Sequence, residues 1–347
     1  MYRMRILSLL TSIALCLSAS SQTQTAAPID SVQFFLDDKP LEVTITTDLK
    51  VLIGEKPEKK NYIPATFKTK FPDSTVVDEQ IRISTRGVIR RKVCYVPPIR
   101  LAFHNSTSPR LYPLHTLKMV PGCKTGSQYE QYVLKEYLCY KLYNLITPMS
   151  YRVRLMHVTY MDSKGNKKPV TQYAFLIESD NAMAKRNQCK VFDATNVNTE
   201  STDRAQMTLV NIYEYMIANT DWAVPVKHNI KLIASKKDSL RAPFAVGYDF
   251  DYAGLVNTDY AVPDEKLEIE NVTTRLYRGF PRTMTELEIA IKPFNDQKSA
   301  IYATINNCEG LTKRSKQDMI DYLEDFYKVI NDKRSVQETF IDNARKE

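Results

Sequence analysis

The sequence predicts an α+β fold, β-rich in its first part and helical in its last. Three observations lead there. Short runs with β-branched residues and two-residue alternation fill the first hundred positions, as in Val43-Thr-Ile-Thr-Thr47. Helical spacing then takes over at Leu134, Tyr137, Leu138, Leu142 and Leu145. Three further helical segments close the chain, and the last carries Ile320, Leu323, Phe326, Tyr327 and Ile330 on one face.

Residues 1–22 read as an export signal: Arg3 and Arg5 form a basic start, Ile6–Leu17 an apolar run, and Ala19–Ser21 a small-residue cleavage site. The apolar run is too short for a comfortable membrane span. Leu15 stands where a lipoprotein signal wants a small residue before its cysteine, which disfavours lipidation of Cys16. The mature chain is expected to be exported and soluble, in a periplasm or at a cell surface. Residues 23–31 read as a flexible linker, 32–178 as a β-rich region with one long helix, and 179–347 as a region ending in helices.

Strands are expected at Val32–Leu36, Leu41–Thr47, Val51–Ile53, Ala65–Phe71, Gln80–Ser84 and Ile99–Phe103, with a loop at Pro57–Lys60. Gly87 then breaks the pattern, and Arg86, Arg90, Arg91 and Lys92 make a basic segment. It suits either a polyanion such as a nucleotide's phosphates or a solvated loop. Pro97 and Pro98 fix an extended entry into the next strand. Leu114–Val120 reads as a strand carrying Lys118 between apolar neighbours. Ser127-Gln-Tyr-Glu130 has the capping-box pattern and opens a helix to about Ile146. Glu136 lies off its apolar face, the place of an ordinary exposed acid.

Arg152–Tyr160 and Val170–Ile177 read as a hairpin ending on Glu178, and Glu178–Thr202 as irregular. A helix over Arg204–Asn219 delivers the chain to Asp221. A second hairpin, Ile230–Ile233 with Phe244–Tyr248, has Asn229 at its entrance and Asp249 at its end. Strand alternation lets Asp249 and Asp251 point the same way if the chain stays extended. Helices are expected near Met284–Lys292, Gln297–Asn307 and Ser315–Asn331.

Asp221, Asn229, Asp249 and Asp251 supply the carboxylate and amide oxygens that hard divalent cations prefer. The same residue types also build turns. Loss of Arg3 and Arg5 lowers the formal charge from +8 to +6, and the chain has no basic tail or aromatic–basic signature of a nucleic-acid binder. Five cysteines remain after cleavage, without C-x-x-C or a histidine at ligand spacing, which argues against zinc and allows one or two disulfides. No G-x-S-x-G occurs, and the four histidines form no recognisable catalytic set, though His228 adjoins Asn229.

In order, the chain presents a basic Gly-containing segment, a strand lysine (Lys118) and a helix glutamate eighteen positions on (Glu136). A hairpin ending at an acid follows, then a helix to Asp221, Asn229, and a strand ending at Asp249. That is the order of parts in protein-kinase-like enzymes. The sequence resembles the CotH-like atypical kinases, the spore-coat protein H family, and in particular exported Bacteroidetes proteins related to them. The strings that carry the resemblance are Arg86-Gly-Val-Ile-Arg-Arg, Arg-Arg-Lys-Val-Cys-Tyr-Val-Pro-Pro, Tyr-Glu-Gln-Tyr-Val-Leu-Lys-Glu-Tyr-Leu, Tyr-Asn-Leu-Ile-Thr, Asp221-Trp…Asn229-Ile-Lys-Leu and Tyr-Asp-Phe-Asp-Tyr-Ala-Gly-Leu-Val-Asn, within roughly Arg82–Phe280.

The resemblance implies a bilobal kinase-like fold. Lys118 would contact a phosphate and be held by Glu136, with Arg86, Arg90, Arg91 and Glu178 also around the nucleotide. Asp221 would act as base or acceptor-orienting group, and Asn229 and Asp249 would hold Mg²⁺ or Mn²⁺, with Asp251 adding a further carboxylate. A Cys94–Cys123 disulfide is implied as well. The implied activity is metal-dependent phosphoryl transfer from ATP or another nucleotide to a protein or glycan. A kinase-fold binding or assembly protein without catalysis is the alternative, and a metal-dependent hydrolase the third. Three departures stand out: Asp221 and Asn229 are eight apart where ordinary protein kinases have five, no G-x-G-x-x-G loop is present, and Asp249 is followed by Phe-Asp.

Overall fold

The computed structural model describes residues 31–54, 61–87 and 89–346. The expected export signal, nearly all of the linker and the Pro57–Lys60 loop lie outside the described residues. The fold is α+β: a closed seven-stranded barrel followed by a three-stranded sheet and helices. Among the described residues no helix is long and apolar enough to cross a membrane.

The barrel strands are β1 (Leu41–Thr47), β2 (Ile63–Lys70), β3 (Val76–Thr85), β4 (Ile99–Ala102), β5 (Thr116–Pro121), β6 (Val153–Asp162) and β7 (Val170–Ile177). They run in the order β1-β2-β3-β4-β5-β7-β6. Every pair is antiparallel except the closing one, in which β1 lies parallel to β6 with Leu41 opposite Met156 and Thr47 opposite Asp162. Closure removes both sheet edges. Alternation fills the interior: Ile45, Phe67, Ile83, Leu101, Met119, Tyr160 and Leu176 are buried in one cluster.

The outward residues of the same strands, Val120, Leu155, Phe175 and Ile177, join a second core built on helices. At its centre is the long helix over Ser127–Ile146, buried on nearly every side. Glu136 is therefore buried, where one-sided amphipathicity had suggested exposure. The helix has no capping box: Gly126 is the N-cap at φ 123°, with Ser127 already inside the helix and no side-chain cap.

Two short apolar runs expected as strands are helices. The chain begins with α1 (Ser31–Phe34), and α2 (Leu49–Gly54) covers Val51–Ile53. Runs this short carry no period that separates strand from helix. The basic segment holds a one-turn helix, α3 (Ile89–Val93), which makes the long helix α4. The stretch expected as irregular contains α5 (Asp180–Arg186) and β8 (Cys189–Val191). The helix α6 (Arg204–Ile217) leads to β9 (Ile230–Ser235) and β10 (Phe244–Gly247), which form a sheet in the order β10-β9-β8. Next come α7 (Met284–Asp296), α8 (Lys298–Asn306), α9 (Lys313–Ile330) and α10 (Lys333–Gln337). Tyr143 of α4 stacks on Tyr213 of α6 at 4.2 Å, and Phe250 packs on Tyr140 at 4.7 Å. The segment bearing Asp249 and Asp251 is thereby anchored to both helices.

Candidate functional site

Asp221 follows the end of α6. Ala218 caps that helix in the left-handed region, and the Asn219 side chain bonds both ways, donating to Glu214 and accepting from the Asp221 N–H at 3.1 Å. The long spacing to Asn229 is resolved by a small closed loop. Ala223 and His228 exchange two backbone hydrogen bonds of 2.9 Å, so Val224–Lys227 loop out and the chain returns on itself. Asn229 then faces Asp221, donating from Nδ2 to its backbone oxygen at 2.7 Å and its Oδ2 at 3.0 Å. That use of the amide nitrogen leaves the amide oxygen as the group suited to a cation. His228 places Nε2 2.7 Å from Asp221 Oδ1.

The second hairpin brings Asp249 to the same place. The Tyr248 N–H donates to the Asn229 carbonyl at 3.0 Å, and the Asp249 N–H donates to the Tyr140 hydroxyl at 2.8 Å. Asn229 and Asp249 both sit at positive φ, 50° and 66°. Such strain in non-glycine residues is found where surrounding bonds over-determine the backbone. The chain does not stay extended past Asp249, and Asp251 turns inward, buried, toward Arg90.

Arg90 joins three segments, two through carboxylates and one through a backbone carbonyl. From α3 it reaches Glu136 of α4 at 3.3 Å and Asp251 at 3.7 Å, and it donates to the Pro121 carbonyl at 2.8 Å. The Cys94–Cys123 disulfide ties α3 to the end of β5 beside it, and the Tyr95 N–H donates to the Cys123 carbonyl. Burial pushes Glu136 above the usual carboxylate range, with Arg90 opposing and Asp251 and Asp249 adding to the rise. Burial likewise raises Asp251, with repulsion from Asp249 and Asp221 on the same side and Arg90 and Tyr260 against it. One guanidinium does not balance this many acids.

Lys118 does not meet Glu136. Facing out of the barrel, it pairs with Asp180 at 3.3 Å and lies 5.2 Å from the Tyr248 ring centre. Its pKa is lowered by burial, offset in part by Asp180. Glu178 is also elsewhere: buried, it holds Arg186 at 3.0 Å and the Arg152 N–H at 3.1 Å, a structural role. Arg86 lies within electrostatic reach of Lys118, Glu136 and Tyr248. Arg91 belongs to α3. The structure thus gathers Asp221, Asn229, Asp249, Asp251, Glu136, Arg90 and Lys118 around one region and leaves Glu178 out.

Among the described residues, no three His, Cys, Asp or Glu side chains converge as a ready-made ion site. Asp251 does not fit a ligand role while it holds Arg90 and accepts from the Tyr260 hydroxyl at 3.2 Å. Asp221 has both carboxylate oxygens engaged by His228 and Asn229, which leaves the Asn229 amide oxygen and the Asp249 carboxylate as the donors that fit a cation, Asp249 lying within electrostatic reach of Asp251. Beside Asp221 lies a cavity of about 260 Å³ lined by Asp221, Trp222, His228, Tyr252 and Arg278 among others. Sequence reasoning missed Asp180, two positions past the acid it selected. Strand alternation would put Glu178 and Asp180 on one face; the strand ends at Ile177 and α5 begins at Asp180, so the two acids part in a way that the alternation does not foretell. The sequence matches no protein-family model and no curated protein.

Proposed function

We propose that this chain is an exported, kinase-like phosphotransferase of the CotH-like type, with the barrel and the helical region as its two lobes. The observation that carries this reading is the bonded chain Asp221–Asn229–Tyr248–Asp249, with Lys118 of the barrel over Tyr248. In it, Asn229 and Asp249 would hold Mg²⁺ or Mn²⁺, which supplies charge neutralisation for a transferring phosphoryl group. Asp221 orients an acceptor hydroxyl entering from the neighbouring cavity. Lys118 and Arg86 face the phosphates of ATP or another nucleotide. Arg90 takes over the part expected of Lys118 toward Glu136, fixing α4 against the barrel.

A second reading is a kinase-fold binding protein without turnover. It is favoured by the pairing of Lys118 with Asp180 in place of Glu136. One experiment separates the two: a thermal-shift titration with ATP, GTP and ADP, each with and without Mn²⁺. A ligand at a hundred times its Kd stabilises the native state by about 2.7 kcal/mol. A shift that needs nucleotide and metal together, lost in Asp249→Ala with the circular dichroism retained, supports the phosphotransferase. A shift with metal alone points to a hydrolase, and no shift at all points to the binding protein.

A further inference from the structure

We propose that Lys118 and Lys231 form a two-amine clamp for a phosphate chain, in which the Asp180 carboxylate occupies the anion's position. The role of Lys118 as a phosphate contact rests on the reading above; Lys231 and Asp180 are additional to it.

The two lysines come from different layers. Lys118 leaves the outer face of β5, opposite Ile177, and Lys231 leaves β9, opposite Val246. Between them stands Asp180, the first residue of α5. Lys118 Nζ lies 3.3 Å from Oδ1 and Lys231 Nζ 3.1 Å from Oδ2, so each amine takes one oxygen. The Tyr151 hydroxyl donates to Oδ1 at 2.9 Å.

Three features separate this from an ordinary structural ion pair. The three side chains keep 23–29% of their surface exposed, so an ion from solvent competes directly with the carboxylate. Two ammonium groups face one carboxylate, with the Arg86 charge acting on Lys118 as well, so the cluster is cationic even when Asp180 is bound. It also adjoins Tyr248 and hence Asp249, where the opposite charge is in excess. A phosphate presents the same paired oxygens with about twice the negative charge, and charge-assisted bonds to it are correspondingly stronger.

The test is calorimetric titration with inorganic tripolyphosphate, without metal and at fixed salt, on the full chain and on Asp180→Asn and Lys231→Met. Asp180→Asn is expected to bind about tenfold more tightly, and Lys231→Met about tenfold more weakly, the factor set by roughly 1.4 kcal/mol. Unchanged or weaker binding by folded Asp180→Asn, or unchanged binding by Lys231→Met, overturns the clamp. If Asp180→Asn does not fold, acetylation footprinting of the unaltered protein decides: tripolyphosphate must protect Lys118 and Lys231 together, and protection confined to other lysines overturns it. A clamp that holds while the metal–nucleotide shift fails leaves this inference standing and sinks phosphoryl transfer. The reverse result sinks only the clamp.

Discussion

The guanidinium of Arg90, on the helical turn α3, lies 3.3 Å from the carboxylate of Glu136 on α4, both inside the protein, and a disulfide ties the residue after that turn to the chain just beyond the strand that bears Lys118. This pair gives the basic segment a defined job. Arg90 is a buried counter-ion that joins barrel, long helix and the Asp251 loop.

Removing it should be costly. Arg90→Ala leaves Glu136 and Asp251 buried without their cation, a loss of about 3–5 kcal/mol in urea unfolding. The triple variant Arg90→Met with Glu136→Leu and Asp251→Asn should recover much of that loss, because no buried charge is then left without its partner. Equal instability of the single and triple variants would show that Arg90 acts through packing rather than charge.

The Cys94–Cys123 bond closes a loop with a sequence separation of 29. Chain entropy puts its contribution at about 3–4 kcal/mol. Reduction, or Cys94→Ala with Cys123→Ala, should lower the Tm by the matching amount. Thiol counting on the unreduced, unfolded chain should leave these two cysteines unreactive.

Glu214 predicts a pH dependence. It is buried beside the Asn219 amide, and burial pushes its pKa up to about 8, with Asn219 and Arg278 opposing and Asp221 adding to the rise. An acid whose folded pKa lies above its unfolded value of about 4.3 binds its proton more tightly when folded. Stability is therefore lost as pH climbs from that unfolded value toward the folded one, and is level above it. Glu214→Gln, neutral and of the same shape, should flatten the fall between about pH 4.5 and 8 and raise stability at pH 8. An unchanged slope would mean that Glu214 is ionised throughout.

Gly254 follows the acidic loop where three segments meet. A Cβ there would fall 2.8 Å from the Thr273 Cα and 2.9 Å from the Ala218 Cβ, and closer still to the Val272 carbonyl. Backbone cannot give way as a side-chain tip does. Gly254→Ala should cost about 1–3 kcal/mol by thermal unfolding. A wild-type Tm would show that this turn is slack.

The sequence alone determined the longer local elements, while the short ones, α1, α2, α5 and β8, escaped it. The α4 helix, both hairpins and the strands of the barrel follow from periods of 3.6 and 2, which bear on neighbouring residues only. The order Lys118, Glu136, Asp221, Asn229, Asp249 was legible for the same reason, and the Cys94–Cys123 bond followed from the resemblance to a family. Tertiary structure alone decided the partners. That β1 closes a barrel by lying parallel to β6, that Glu136 is buried against Arg90, and that Lys118 meets Asp180 and Lys231 are contacts between residues dozens to more than a hundred positions apart. Such pairings depend on which faces of separate elements are brought together, and no local period records that.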